Sequence, residues 1–138
     1  MPACCCCNAD HRVAAFALWL NFLVFASAFP VILIADVEIK HFHMSTLENQ
    51  WQLLIAFGSI ATVNGLAILS SWQEGGNAAV ANARMALIAN IVWNGIDVAD
   101  SLWAEPRSSA ALAPLPDLIL CGLALWRLPL EERLSWMA

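Results

Sequence analysis

The sequence predicts an all-α fold, an integral membrane four-helix bundle with four transmembrane helices and short loops. Composition is the first observation behind this prediction, because 61% of the 138 residues are hydrophobic and only 12% are charged. In soluble domains about a quarter of the residues are charged. The second observation is that the apolar residues gather in four runs. A soluble helical bundle would need a hydrated face on every helix, and the first two runs have almost none.

The four apolar runs have the length that a bilayer requires. Each approaches the roughly 20 residues that cross about 30 Å of hydrocarbon as a helix. Start and stop signals around the runs set the ends of the predicted helices. We therefore predict a single transmembrane domain, residues 1–138, with helices at about 13–36, 46–72, 78–104 and 110–128.

The charged residues predict the orientation of the chain. Positively charged loops tend to stay in the cytoplasm, so we expect a multi-pass protein with both termini cytoplasmic. The outer side carries seven acidic and two basic residues, a formal charge of −5 against zero on the inner side, which favours a cationic ligand or partner outside. The inner basic residues are Arg12, Arg84, Arg127 and Arg133, and the outer ones are Lys40 and Arg107.

Four consecutive cysteines precede the first apolar run: Cys4, Cys5, Cys6 and Cys7. Three interpretations are open. The thiols are unmodified at the membrane interface, or they are S-palmitoylated beside a cytoplasmic helix end, or they bind zinc or copper. Consecutive cysteines wrap poorly around one tetrahedral ion. A disulfide framework is not expected, because the remaining cysteine, Cys121, lies inside the fourth run.

The first predicted helix also has the pattern of a secretory signal sequence, with Arg12, an apolar stretch and the small residues Ala26–Ala28. The apolar run continues past that pattern to Ala35, so we expect a spanning helix instead. Asn21 is its one strongly polar residue at depth, and we expect it to hydrogen-bond a neighbouring helix. Pro30 is expected to kink the helix near its outer end.

The first outer loop gathers several side chains that can bind a metal ion. Imidazole with thioether suits copper, and carboxylates with imidazole suit zinc or manganese. The spacing matches no known metal motif, and a solvated polar loop is the simpler interpretation. The candidate ligands are Asp36, Glu38, His41, His43 and Met44.

The second helix is predicted to begin near Thr46, because residues 45–48 have the capping-box pattern Ser-Thr-Leu-Glu. Trp51 and Trp72 bracket it about 30 Å apart, as expected of aromatic anchors at the two membrane interfaces. Its small residues between Gly58 and Gly65 predict close packing against another helix.

Two further features connect the second helix to the third. Asn64 is expected to meet Asn90 or Asn94, since a buried amide needs a hydrogen-bonding partner. Residues 74–77, Glu-Gly-Gly-Asn, are expected to turn the chain, with Asn77 capping the next helix. The second and third helices are therefore predicted to be an antiparallel pair.

The third helix carries a polar stripe at the three- and four-residue spacing of one helix face. We expect the stripe to face other helices or trapped water, because unpaired amides and carboxylates are costly in hydrocarbon. Helix counting makes Asp97 the deepest carboxylate, either an ion- or proton-binding group or a structural acid. The stripe comprises Asn82, Ala86, Asn90, Trp93, Asn94, Asp97, Asp100 and Ser101, and the opposite side comprises Leu87, Ile88, Ile91, Val92 and Val98.

The start of the fourth helix is ambiguous. Pro114 and Pro116 suit a first turn better than a helix interior, which leaves two alternatives. Either residues 110–113 are helical and the helix is kinked, or the helix is short and the membrane is locally thin. Asp117 would then favour the positive end of the helix dipole. The tail, residues 130–137, is expected to form a short amphipathic helix on the membrane surface.

The sequence contains no motif that names a reaction, so we do not expect an enzyme. No histidine or lysine lies in a predicted span, which excludes haem ligation and a retinal Schiff base there. The first functional hypothesis is a non-catalytic accessory subunit of a larger membrane protein complex. Expected partners are the lipid bilayer, with bound lipid, and other membrane subunits or further copies of the chain, but no nucleic acid.

Two alternative functions have candidate residues. The first is a transporter, or a protein that binds a small ligand or cation in an acidic intramembrane pocket open to the outside. The second is copper or zinc handling by the outer loop and the cysteine run. The residues of the predicted pocket are Asn64, Asn90, Trp93, Asn94, Asp97, Asp100 and Asp117.

Overall fold

The computed structural model of the chain describes residues 9–35, 50–73, 76–104 and 112–128, which form four α-helices. Several predicted features lie outside these residues: the cysteines at 4–7, the candidate metal ligands at 36–44, the capping box at 45–48 and the tail at 130–137. The helices are α1 (Ala9–Ala35), α2 (Gln50–Gln73), α3 (Gly76–Ala104) and α4 (Leu115–Arg127).

Two of the four helices are long and apolar enough to cross a membrane. The qualifying stretches are His11–Leu33 in α1 and Trp51–Trp72 in α2, with mean hydropathies of 2.1 and 1.9. α1 continues without a break through residues 26–28 and through Pro30. Among the described residues, α3 and α4 do not meet the same criterion of length and hydropathy. Asparagines and aspartates interrupt α3, and α4 has only 13 residues.

The helices close into a ring. α1 packs on α2, α2 on α3, α3 on α4 and α4 on α1, with α1 also touching α3 across the ring. Consecutive helices run antiparallel, as predicted for α2 and α3. The N-terminus of α1 therefore lies at the same end of the bundle as the C-terminus of α4.

The bundle buries polar side chains together with an apolar core, and it also exposes large apolar side chains. Large apolar side chains are exposed on all four helices, including Phe16, Leu66, Ile88 and Ile119. Four exposed tryptophans mark the ends: Trp51 and Trp103 lie at one end of the bundle, and Trp72 and Trp126 at the other. The buried polar residues are Asn21, Asn64, Ser70, Asn90, Asn94, Asp100 and Ser101.

The small residues of α2 face α1. A Cβ atom placed on Gly65 would lie 3.2 Å from the Phe22 ring, and one on Gly58 would lie 3.5 Å from the Phe29 ring. The two glycines and the two phenylalanines are each seven residues apart, so the rings meet the glycines in antiparallel order. The predicted close packing of α2 against another helix is thus present, with α1 as the neighbour.

α4 is much shorter than its neighbours, and the predicted start near residue 110 is wrong. Residues 112–114 form a turn, Pro114 precedes the helix and Pro116 occupies its first turn. Proline lacks the N–H that a helix interior needs, so the helix begins where the prolines are tolerated. At 1.5 Å per residue α4 is about 20 Å long, against about 44 Å for α3. Of the two alternatives, the described residues agree with a short helix, and a locally thin membrane stays a prediction.

Three smaller predictions also need correction. α1 begins at Ala9 instead of residue 13, and α3 begins at Gly76, one residue before the predicted cap Asn77. Gly76 has φ +60°, a conformation that glycine adopts without strain. Leu87, expected to face lipid, is fully buried. Because α3 is packed by helices on more than one side, its buried arc is wider than its polar stripe.

Candidate functional site

The carboxylate of Asp117, in the first turn of α4, joins three helices. Asn21 of α1 donates from Nδ2 to Oδ1 of Asp117 at 2.8 Å, and Asn94 of α3 donates from Nδ2 to Oδ2 at 2.6 Å. The thiol of Cys121, one turn further along α4, donates to Oδ1 at 3.6 Å. Both carboxylate oxygens therefore accept hydrogen bonds inside the bundle.

The two amide side chains are oriented by their own helices. Nδ2 of Asn21 also donates to the carbonyl oxygen of Ala17 at 2.9 Å, and Nδ2 of Asn94 donates to that of Asn90 at 2.9 Å. A carbonyl four residues earlier lies on the same face of the helix. Each asparagine thus has one hydrogen held by its own backbone and one directed at Asp117.

A second amide pair extends this network to α2. Asn64 and Asn90 exchange two hydrogen bonds, with Nδ2 to Oδ1 distances of 3.0 Å and 2.8 Å, and both side chains are fully buried. The predicted contact between Asn64 and an asparagine of α3 is confirmed. Because Asn94 bonds the backbone of Asn90, the network of Asn21, Asn64, Asn90, Asn94, Asp117 and Cys121 connects all four helices.

A cavity of about 420 Å³ lies against this network. The bond between Asn94 and Asp117 sets the level at which α4 begins, and α3 continues beyond that level for about 15 Å to Ala104. The cavity lies beside the first turns of α4 and extends toward the level at which α3 continues past that helix. Its volume is within the roughly 300–1,000 Å³ of typical small-molecule sites. The lining is Leu20, Asn21, Val24, Phe25, Phe57, Trp93, Asn94, Asp97, Ala113, Pro114, Pro116, Asp117 and Leu120.

Three aromatic rings form one wall of the cavity. The ring centroids of Phe25 and Phe57 are 5.2 Å apart, those of Phe57 and Trp93 are 5.9 Å apart, and those of Phe25 and Trp93 are 6.3 Å apart. All three pairs meet edge to face, with interplanar angles between 79° and 85°. This arrangement is the favoured one for aromatic pairs and leaves ring faces available for further contacts.

The cavity has a negative electrostatic character. Asp97 and Asp117 line it, and no lysine, arginine or histidine occurs among the described residues that do so. The described partners of Asp117 are two neutral amides and a thiol. The N-terminus of α4 offsets about half an elementary charge. The arrangement can bind hydrogen-bond donors and positive charge.

The structure divides the predicted pocket residues into three groups. Trp93, Asn94, Asp97 and Asp117 come together at the cavity. Asn64 and Asn90 lie in the network and bond each other. Asp100 is buried further along α3 and does not line the cavity. Asp97 and Asp117 are both half-buried, and the bond to Asn94 places Asp117 about one helical turn from Asp97 along the bundle. The depth of Asp97 in a bilayer stays a prediction.

Asn21, Phe25 and Phe57 are among the lining residues that the predicted pocket did not include. Asn21 was singled out for helix packing, and Phe25 lies four residues later on the same face, so the periodicity of α1 indicates both. Phe57 carries no such signal, because it stands among many apolar residues of α2.

The metal hypotheses stay predictions, because the cysteines at 4–7 and the loop at 36–44 lie outside the described residues. Within the described part of the chain, no three histidine, cysteine, aspartate or glutamate side chains are grouped closely enough to hold a metal ion. Comparison with known proteins adds no relative: no family model, curated protein or solved structure matches the chain.

Proposed function

We propose that the chain is a non-catalytic, four-pass membrane protein that binds a small ligand in the cavity beside Asp117. The observation that carries the proposal is the cavity itself. Polar and aromatic side chains line it together, inside a bundle whose outer surface is apolar. A few directed polar groups in a largely apolar concavity are typical of small-ligand sites.

The surface of the bundle supports the membrane part of the proposal. Exposed apolar side chains on every helix suit lipid tails, and the exposed tryptophans at both ends suit the two interfaces. The exposed hydroxyls of Ser27, Ser59 and Thr62 donate to carbonyl oxygens of their own helices at 3.0, 2.6 and 2.7 Å. Polar groups that face hydrocarbon must be satisfied internally in this way.

The short α4 also fits a spanning bundle. Its 13 residues cover about 20 Å, less than the hydrocarbon thickness, and the chain before it is a turn at 112–114. Non-helical backbone at membrane depth is tolerated where it is enclosed by protein or lines a cavity. Ala113 and Pro114 line the cavity, which is consistent with this exception.

The ligand-binding proposal is tested by screening cationic, neutral and anionic small molecules for thermal stabilisation of the purified protein in nanodiscs. Val24→Trp adds a large side chain to the cavity wall, and Val63→Trp on α2 adds the same side chain away from the cavity. We expect at least one compound to stabilise the wild type and the Val63 variant but not the Val24 variant. If no compound distinguishes the two variants, ligand binding in this cavity is refuted.

The accessory-subunit hypothesis is retained as a second candidate because of a second surface feature. The outer side of α1 and α2 has an apolar groove of about 740 Å³. Small residues such as Gly58, Ser59 and Thr62 lie along it, and such surfaces favour close helix packing in membranes. Native mass measurement after extraction in mild detergent tests this role. A lone monomer without a copurifying chain would count against it.

A further inference from the structure

The polar lining of the cavity consists mainly of acceptors. The hydrogens of Nδ2 in Asn21 and Asn94 are directed at backbone carbonyls and at Asp117. Asp117 accepts these bonds, which fixes the orientation of both amides. Within the described residues neither Oδ1 accepts a hydrogen bond, although both side chains are more than nine-tenths buried. Each amide oxygen can therefore accept a hydrogen bond from a donor in the cavity that both residues line.

The donor that fits must also carry charge. The carboxylates of Asp97 and Asp117 and the amide oxygens of Asn21 and Asn94 are all acceptors, and the indole N–H of Trp93 is the donor among the polar lining groups. A protonated amine presents up to three N–H donors and no acceptor, as a lysine ammonium does. It would also compensate the charge of Asp117, whose described partners are neutral.

The aromatic wall favours an organic cation over a bare metal ion. A cation within about 6 Å of a ring face is attracted by the ring quadrupole, most strongly by tryptophan. Phe25, Phe57 and Trp93 provide such rings beside the carboxylates. Metal ions require several converging ligands, and no group of three candidate ligands exists among the described residues. The space of about 420 Å³ also accommodates an apolar body attached to the ammonium.

From these observations we infer that the cavity binds a small protonated amine with an apolar body. The ammonium group lies against Asp117 and Asp97, and the apolar body lies against Phe25, Phe57 and Trp93. The inference rests on the proposed ligand-binding function and specifies the chemical class of the ligand.

The test uses three probes of nearly equal size and different charge: phenethylammonium, 2-phenylethanol and phenylacetate. Each is titrated calorimetrically into the full chain in nanodiscs of zwitterionic lipid, with empty nanodiscs subtracted. We expect phenethylammonium to bind about 10- to 100-fold more tightly than the alcohol, as charge-assisted hydrogen bonds imply. Phenylacetate should bind more weakly still.

Matched variants locate the binding. Asp97→Asn and Asp117→Asn should each weaken phenethylammonium binding about tenfold or more, while Asp100→Asn, the same change outside the cavity, should leave it within a factor of about two. Thermal unfolding and gel filtration establish that each variant is folded. Because Asp97→Asn leaves the bonds from Asn21 and Asn94 to Asp117 in place, this variant keeps the test decisive if Asp117→Asn does not fold.

Three other outcomes of these titrations would contradict the assignment of a protonated amine. If the alcohol binds as tightly as the amine, or if both aspartate variants bind the amine normally, the cation assignment is wrong. The proposed ligand-binding function would then still stand, because the compound screen with the Val24 and Val63 variants decides that separately. If none of the three probes binds the wild type, the amine assignment is also wrong.

Discussion

Asp117 is the residue on which both the fold and the proposed site depend. Its two carboxylate oxygens accept hydrogen bonds from Asn21 and Asn94, so it fixes the position of α4 against α1 and α3. It also forms part of the cavity lining. Asp97 also lines the cavity, but it does not make the hydrogen bonds by which Asn21 and Asn94 hold Asp117. We therefore expect Asp97→Asn to stay folded and assembled.

Substitutions of Asp117 separate the loss of its hydrogen bonds from the loss of its charge. Asp117→Leu removes both acceptors and strands two buried amides, so we expect the free energy of unfolding to fall by about 1 to 3 kcal/mol. Asp117→Asn keeps the shape of the side chain and one acceptor oxygen, so the free energy of unfolding should fall by less than in Asp117→Leu. Denaturation in mixed micelles measures both, with Ile119→Ala on the exposed face of α4 as a control. Equal stability of Asp117→Leu and the wild type would contradict the network.

The reciprocal bonds of Asn64 and Asn90 predict strong coupling between these residues. Either single change to alanine removes both bonds and leaves the other buried amide without its partner on the neighbouring helix, so the double variant should lower the free energy of unfolding by less than the sum of the single variants. Interhelical side-chain bonds in membranes contribute about 0.6 kcal/mol on average and up to about 1.7 kcal/mol. A double-mutant cycle in the same unfolding assay should give a coupling energy of about 1 kcal/mol. Additive effects would show that the pair does not act together.

At the level of elements, the contact between α1 and α2 depends on two glycines of α2. Phe22 approaches Gly65 more closely than Phe29 approaches Gly58. The hydroxyls of Ser59 and Thr62, on the exposed side of the same helix, are bonded within α2. α2 therefore packs small residues against α1, and the hydroxyls on its exposed side are hydrogen-bonded to its own backbone.

This difference between the glycines predicts different outcomes for the same substitution. Gly58→Ala introduces an ordinary van der Waals contact and should leave the free energy of unfolding unchanged or slightly higher. Gly65→Ala requires the Phe22 ring to move and should be about 1 kcal/mol less stable than Gly58→Ala. Adding Phe22→Leu to Gly65→Ala should recover part of the loss. If the two alanine variants unfold alike, Phe22 adjusts without cost.

At the level of the whole molecule, the described arginines lie toward the end of the bundle that is predicted to be cytoplasmic. All three arginines within the described residues, Arg12, Arg84 and Arg127, lie at the end of the bundle where α1 begins and α4 ends. Asp97 and Asp100 lie toward the opposite end. From the positive-inside tendency we predict that the arginine-bearing end lies in the cytoplasm.

Reporter fusions test this orientation. Alkaline phosphatase joined after Ala138 should be inactive and green fluorescent protein at the same position should fluoresce, because that end is expected in the cytoplasm. Fusions after Ala104, beyond α3, should show the reverse. The same activity pattern at both positions would contradict four crossings, and an inverted pattern would contradict the predicted orientation.

The sequence by itself determined the helices, because helix formation depends on neighbours within about four residues and on apolar runs of sufficient length. It also indicated Trp93, Asn94, Asp97 and Asp117 as pocket residues, since unpaired polar groups in apolar segments need partners.

Only the tertiary structure decided which polar residues meet and where the cavity lies. Asn21 and Asp117 are 96 residues apart in sequence, and their contact depends on how the helices rotate and slide against each other, which no local pattern specifies. The cavity arises because α4 begins beside Asn94, while α1 and α3 continue past it. That difference in level brings Asp117 beside Asn94, while Asn64 and Asn90 pair with each other. The resulting cavity is the reason that we propose ligand binding ahead of the accessory role expected first.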